Sequence, residues 1–217
     1  MATASKDPPT KFGVVLFPGF QSLDVFGPVD ILNFLSKGRD ELRFSMLAET
    51  LDPVSTALEP GGFGQSVMPT HTFRDAPEDI EVVLVPGGMG TRRDDVIAPS
   101  VEYVKRVFPK VRYFLTVCTG SALAAKAGVL DGKRATSNKL AFEWVKSVGP
   151  NVDWVPKARW VTDGNVWTSS GVSAGIDMMF AFVADRYGED VAEDISIRSE
   201  YRRNPDSTDD PFAKSAS

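Results

Sequence analysis

Short apolar runs alternate with segments of helical period along most of this 217-residue chain, and that alternation constrains the fold more than any other feature. The run from Gly13 to Phe17 ends at Pro18-Gly19 and precedes 21-QSLDVFGPVDILNFLSK-37, in which Ile31, Leu32 and Leu35 recur at helical spacing. Runs this short are strand-length, and recurrence every three to four residues marks a helix face. Pro28 is placed at the start of the helix, where its missing N–H forfeits no helix bond. A second strand is expected from Leu42 to Ala48. The unit then repeats twice. Glu81 to Val85 leads through 86-PGGMG-90 to a helix from Ser100 to Phe108, and Arg112 to Val117 leads into the Ala-rich 119-TGSALAAKAGVL-130.

Further on, a strand at Arg134 to Thr136 and a helix from Lys139 to Val148 precede a hairpin. That hairpin joins Ala158–Thr162 to Val166–Thr168 across 163-DGN-165, a sequence suited to a tight turn. Helices follow from Ala174 to Arg186 and from Glu189 to Ile197. Only residues 52 to 80 break the rhythm, with Pro53, Pro60, Pro69, Pro77 and Gly61-Gly62 marking short strands and turns. Alternating strands and helices predict an α/β domain with a mostly parallel sheet covered on both faces. The length fits one domain. It is assigned to residues 11–200, with a flexible N-terminal tail over 1–10 and an extended or disordered C-terminal tail over 201–217.

The chain has one cysteine and one histidine, His71. A single cysteine forms no internal disulfide, which points to a reducing compartment, and the pair cannot supply a zinc or iron–sulfur ligand set. No metal and no cofactor are expected. The formal charge of −5 and the lack of a long Lys/Arg run oppose nucleic acid as a partner. Stretches such as 12-FGVVLF-17 and 176-IDMMFAFVA-184 are too short to span a membrane. The polar start MATASKDPPTK lacks a basic, then apolar, signal pattern, so a soluble cytoplasmic protein is expected.

Three strand ends carry candidate chemistry. In 113-YFLTVCTGSALAA-125 an apolar strand runs into Cys118 and then a helix, the layout of a nucleophile elbow. By type alone a lone cysteine is a small buried apolar residue. The elbow favours a nucleophile, and a helix N-terminus facing the sulfur favours thiolate over thiol. Small Gly120 and Ser121 leave room for a substrate. In 82-VVLVPGGMG-90 the turn lacks both glycine-rich nucleotide-binding patterns, but its amides lie where ligands of open α/β sheets collect. The backbone N–H groups of Gly87, Gly88 and Thr119 are the expected donors to a developing anion. Asp24 in 21-QSLDVFGP-28 is the expected proton-transfer group, with a pKa raised by a neighbouring thiolate. It reads equally as a helix N-terminal acid held by the dipole, and for Asp177 in 171-GVSAGID-177 that structural reading is preferred.

Taken together, F-P-x-x-Q-x-L-D-x-x-G-P from Phe17, V-P-G-G from Val85, V-C-T-G-S from Val117 and S-A-G-I-D from Ser173 resemble the DJ-1/ThiJ/PfpI superfamily. The resemblance covers about Lys11 to Glu200 and is strongest to the isocyanide (isonitrile) hydratase branch. It implies a flavodoxin-like three-layer sandwich, usually a homodimer, with a catalytic Cys and Asp corresponding to Cys118 and Asp24. The implied activity is a cofactor-independent hydro-lyase that hydrates a small electrophile, an isocyanide, to an N-substituted formamide. Glyoxalase-type or other cysteine-dependent chemistry, a redox or stress sensor built on Cys118, and a ligand-sensing domain stay open as alternatives.

Two departures bear on the substrate. Many relatives carry Glu where this chain has Asp24, and hydratase-like relatives often read T-T-H where it has Thr136-Ser137-Asn138. His71 lies in the turn-rich segment far from the motifs, which disfavours a Cys-His dyad.

Overall fold

A computed structural model describes residues 7–213. The first half of the chain contains β1 (Lys11–Val15), α1 (Ser22–Ser36), β2 (Arg43–Ala48), β3 (Val54–Ser55), β4 (Ser66–Val67), β5 (His71–Thr72) and β6 (Val82–Val85). A 3₁₀ turn at Met89–Arg92 then leads to α2 (Asp94–Val107), β7 (Tyr113–Val117), α3 (Gly120–Lys126), β8 (Arg134–Ala135) and α4 (Phe142–Val148). The remainder is β9 (Asp153–Trp154), β10 (Trp160–Asp163), β11 (Val166–Ser169), α5 (Ser173–Tyr187) and α6 (Glu189–Arg198).

The main sheet has seven strands in the order β10-β11-β7-β6-β1-β2-β5. All neighbours run parallel except the hairpin pair β10–β11, where Trp160 lies opposite Ser169 and Asp163 opposite Val166. The order β2-β1-β6-β7-β11 is that of flavodoxin-like sheets, with its reversal between β1 and β6. Helices α1, α5 and α6 pack together in one layer, while α2, α3 and α4 form the other. With both faces covered, every residue of β6 and β11 is buried, as the near-continuous apolar runs require.

Two helices start about two turns ahead of the sequence expectation, both across a proline, while α4 starts three residues late, at Phe142. Helix α1 begins at Ser22, so Pro28 is its seventh residue, and α2 begins at Asp94, so Pro99 is its sixth. A proline inside a helix removes one bond, here the one the Asp24 carbonyl would accept from residue 28. Burial of Val25, Val29, Ile31, Leu32 and Leu35 along α1 outweighs that loss. The early start has a functional consequence: it puts Asp24 in the first helical turn rather than in a loop.

Residues 201–213 form no helix or strand, yet they pack on the domain, which extends past the boundary expected at residue 200. The Arg159 N–H donates to the Ser207 carbonyl (2.7 Å) and the Asn204 N–H donates to Asp177 Oδ1 (2.9 Å). Asp210 is buried beside Lys139, 3.4 Å away. At the other end, the Thr10 N–H donates to Glu81 Oε2 (2.6 Å). Residues 1–6 and 214–217, the outer parts of the two expected tails, lie outside the described residues. Among the described residues, no helix is long and apolar enough to cross a membrane, and no group of three or more His, Cys, Asp or Glu is placed to hold a metal ion.

Candidate active site

Parallel pairing of β1, β6 and β7 brings three carboxyl-terminal strand ends side by side. Asp24 follows β1, the Gly87-Gly88 turn follows β6, and Cys118 follows β7. The sequence expectation that these motifs share one sheet edge thus holds, and they meet at the switch point where ligands of open sheets bind. His71 on β5 stands apart, with β6, β1 and β2 between its strand and β7. Its Nδ1 lies 2.9 Å from the Thr70 hydroxyl.

Cys118 has φ of +57°, a conformation that costs a non-glycine residue on the order of 1–3 kcal/mol. Surrounding hydrogen bonds hold it there. Its N–H is shared between the carbonyls of Ser169 and Ser170, both at 3.2 Å. Its carbonyl accepts from the hydroxyls of Ser121 (3.0 Å) and Ser137 (2.9 Å). Of these groups, sequence reading singled out only Ser121, and for its size. The hydroxyl-rich segments 135-ATSN-138 and 168-TSSG-171 are the signal that Ser137, Ser169 and Ser170 left in the sequence.

Asp24 is fully buried. Its Oδ2 accepts from the Gly87 N–H at 3.0 Å, while Oδ1 has no partner in close hydrogen-bond geometry. The Cys118 thiol and the Val172 N–H are its other hydrogen-bonding neighbours. Val172 itself has φ of +44°, rare for a β-branched residue. Burial raises the Asp24 pKa to about 7 against the opposing pull of Gly87, Cys118 and Val172. The direction matches the sequence expectation, but the main cause is loss of solvent rather than a neighbouring negative charge.

For Cys118 the direction is opposite to the expectation from the helix N-terminus. Burial, then the charge of Asp24, pushes the thiol up to about 12, and donors from Thr119 and Asn138 offset this only in part. The resting pair above pH 7 is therefore a carboxylate beside a protonated thiol. One proton separates it from the thiolate, and an acceptor for that proton is next to it.

The expected oxyanion donors also need correction. The Gly87 N–H is committed to Asp24, and the Gly88 N–H donates to Thr119 Oγ1 at 3.0 Å. Gly87 is nevertheless required, because a Cβ there would lie 2.5 Å from the Thr119 nitrogen. Thr119 faces the sulfur with both its N–H and its hydroxyl.

Asn138 is a neighbour whose role sequence alone left undefined. Its Oδ1 accepts from the Ala141 N–H at 3.0 Å, which fixes the amide so that Nδ2 is the edge offered to the Cys118 sulfur. A cavity of about 310 Å³ adjoins it, lined by Asn138, Leu140, Arg159, Val172 and Phe212. Asp177 belongs to a different network. It is buried in an ion pair with Arg159 (2.5 Å), a side-chain partner in place of the helix end that the sequence suggested.

Fold and site together define a class: α/β proteins with one elbow cysteine beside a buried acid at the switch point of a parallel sheet. The chain belongs to the DJ-1/PfpI family, whose family model matches residues 10–185. It is 32% identical to an isonitrile hydratase of Pseudomonas putida over 196 residues, covering 90% of this chain and 80% of that protein. It is 29% identical to a deglycase of Pyrococcus abyssi, covering 70% and 87%. An HTH-type transcriptional regulator of Pseudomonas aeruginosa is 27% identical over 90% of this chain, which spans about half of the regulator's length. Among solved structures, a THiJ/PfpI family protein from Pseudomonas syringae superposes with a TM-score of 0.76 at 29% identity, covering 91% of this chain and 77% of that one.

Proposed function

We propose that the protein is a cofactor-independent isocyanide hydratase in which Cys118 is the nucleophile and Asp24 moves the protons. The observation that carries this reading is the buried Asp24 carboxyl, one oxygen tied to Gly87 and the other left without a close partner beside the Cys118 thiol. An acid with a pKa near 7 both accepts and returns a proton at neutral pH. Similarity to the Pseudomonas putida isonitrile hydratase supports an isocyanide as the substrate class.

In the first step Asp24 takes the thiol proton as Sγ bonds to the terminal carbon of R–N≡C. The same proton then passes from Asp24 to that carbon, giving the thioimidate R–N=CH–S–Cys118. Water adds to the carbon, with one of its protons passing through Asp24 to the nitrogen. The resulting R–NH–CH(OH)–S–Cys118 breaks its C–S bond as the hydroxyl proton moves to sulfur, leaving R–NH–CHO and the free thiol. A nucleophile and one proton-transfer group suffice, so no cofactor enters. The Thr119 N–H is positioned to steady charge at sulfur, whereas Gly87 and Gly88 serve by holding Asp24 and Thr119.

The test is incubation of the purified protein with cyclohexyl isocyanide and, separately, with methylglyoxal, beside the Cys118→Ala variant. Formamide from the wild type alone is the expected result. Lactate without formamide would overturn the reading in favour of glyoxalase-type chemistry, and silence with both would favour a redox or ligand sensor. On the same reading the protein works in the cytoplasm, where a reducing environment keeps its single thiol free, and as a homodimer, the usual assembly of the hydratase branch. Light scattering that reports a monomer would remove the dimer.

A further inference from the structure

Thr91 is fully buried in the 3₁₀ turn after the PGG segment, outside the groups assigned above. Its hydroxyl lies 2.7 Å from the Gly88 carbonyl and 3.0 Å from Thr119 Oγ1. Thr119 Oγ1 in turn accepts from the Gly88 N–H at 3.0 Å and lies 3.3 Å from the Gly88 carbonyl. Each hydroxyl carries one proton. The Gly88 carbonyl accepts from the Thr91 N–H at 3.2 Å, which leaves its second lone pair to one of two hydroxyls, Thr91 at 2.7 Å or Thr119 at 3.3 Å.

We propose that Thr91 is a positioning residue for Cys118: by satisfying the Gly88 carbonyl, its hydroxyl leaves the Thr119 proton free to point at the sulfur. If Thr91 gave its proton to Thr119 Oγ1 instead, the Thr119 proton would be the one left for the Gly88 carbonyl, so the shorter contact of Thr91 with that carbonyl is what frees Thr119. Without the Thr91 hydroxyl, the half-buried Gly88 carbonyl keeps the Thr91 N–H as one donor, and its second lone pair is open to the Thr119 proton. The sulfur then loses one of the two Thr119 donors that favour its charged form. This inference rests on Cys118 being the reactive group proposed above, but not on the identity of its substrate.

Iodoacetamide alkylation of Cys118, followed by mass spectrometry across neutral to mildly alkaline pH, reads thiol reactivity without any hydratase assay. Thr91→Val is expected to slow alkylation about tenfold at each pH, the effect of losing roughly one hydrogen bond to the charged sulfur. Thr91→Ser restores the wild-type rate, and Thr91→Val adds no further slowing to Thr119→Val. Thr91→Ala carries the same test if the valine variant does not fold. A wild-type alkylation profile in Thr91→Val or Thr91→Ala, or slowing that persists undiminished in the Thr119→Val background, overturns the proposal. A fall in melting temperature with unchanged alkylation likewise reduces Thr91 to a structural residue. Alkylation that behaves as expected while formamide never forms would retain Thr91 and reject the hydratase reading.

Discussion

Asp24 and Asp177 are both buried aspartates near the start of a helix, yet their surroundings give them opposite roles. Asp177 is saturated with donors: Arg159 through Nε at 2.7 Å, the Tyr201 hydroxyl at 3.1 Å and the Asn204 N–H at 2.9 Å. Asp24 has one close donor, Gly87, and no cation. A buried carboxylate with a cation and hydrogen bonds to both oxygens is a fastening, here between α5, the residue before β10 and residues 201–204. A buried carboxylate left short of donors has a raised pKa and is available for proton transfer. The chain therefore separates stability from reactivity by how completely each acid is partnered, rather than by how deeply it is buried.

The largest expected effect breaks the comparison at its reactive end. Asp24→Asn removes the proton carrier and is expected to lower kcat for isocyanide hydration by about 10²- to 10⁴-fold, measured by formamide release. Asn cannot ionise, so the cost of burying a charge at this point disappears. At neutral pH the variant is expected to match or exceed the wild type in denaturant stability, by up to about 2 kcal/mol. A destabilised Asp24→Asn would show that Asp24 is a fastening too.

Asp177→Ala is the converse test. It strands the Arg159 guanidinium in the interior and is expected to cost about 3–5 kcal/mol in urea unfolding. The released 201–213 segment should become sensitive to limited proteolysis. Stability close to wild type would mean that the ion pair is dispensable.

Smaller effects come from pH. Because the Asp24 pKa is raised to about 7, the form with one shared proton accumulates above that value, so kcat/KM is expected to rise with pH through about 7. The stability sign runs the other way. The unfolded chain ionises near the ordinary value of 3.8 while the folded chain resists until about 7, so this group's contribution to stability falls as pH rises between them. Asp24→Asn should flatten both curves, which urea melts and rate profiles would check. Least of all, Asn138→Leu withdraws one donor from the sulfur and is expected to slow Cys118 alkylation about tenfold or less. No change would place Asn138 in the α4 turn alone.

Much of this architecture was legible in the sequence because it is local. The period of apolar residues located the strands of the parallel core, and the Asp-Gly turn located the β10–β11 hairpin. Helix starts expected at Pro28 and at Ser100, just after Pro99, fall too late, since a proline reads as a boundary when packing on the next helix is out of view. The same limit hid residues 201–213, whose polar composition conceals the long-range contacts of Asn204, Ser207 and Asp210.

By itself the sequence determined that a single cysteine would stand at a strand-to-helix elbow, with an acid and a glycine turn at neighbouring strand ends, because strand and turn signals are carried by adjacent residues. Only the tertiary structure decided what those groups are. Burial protonates the thiol, Asp24 takes the amide of Gly87, Thr119 takes that of Gly88, and Asn138 comes to the sulfur from 20 positions along the chain. Desolvation and hydrogen-bond partnering depend on which distant segments meet, and no local pattern records that.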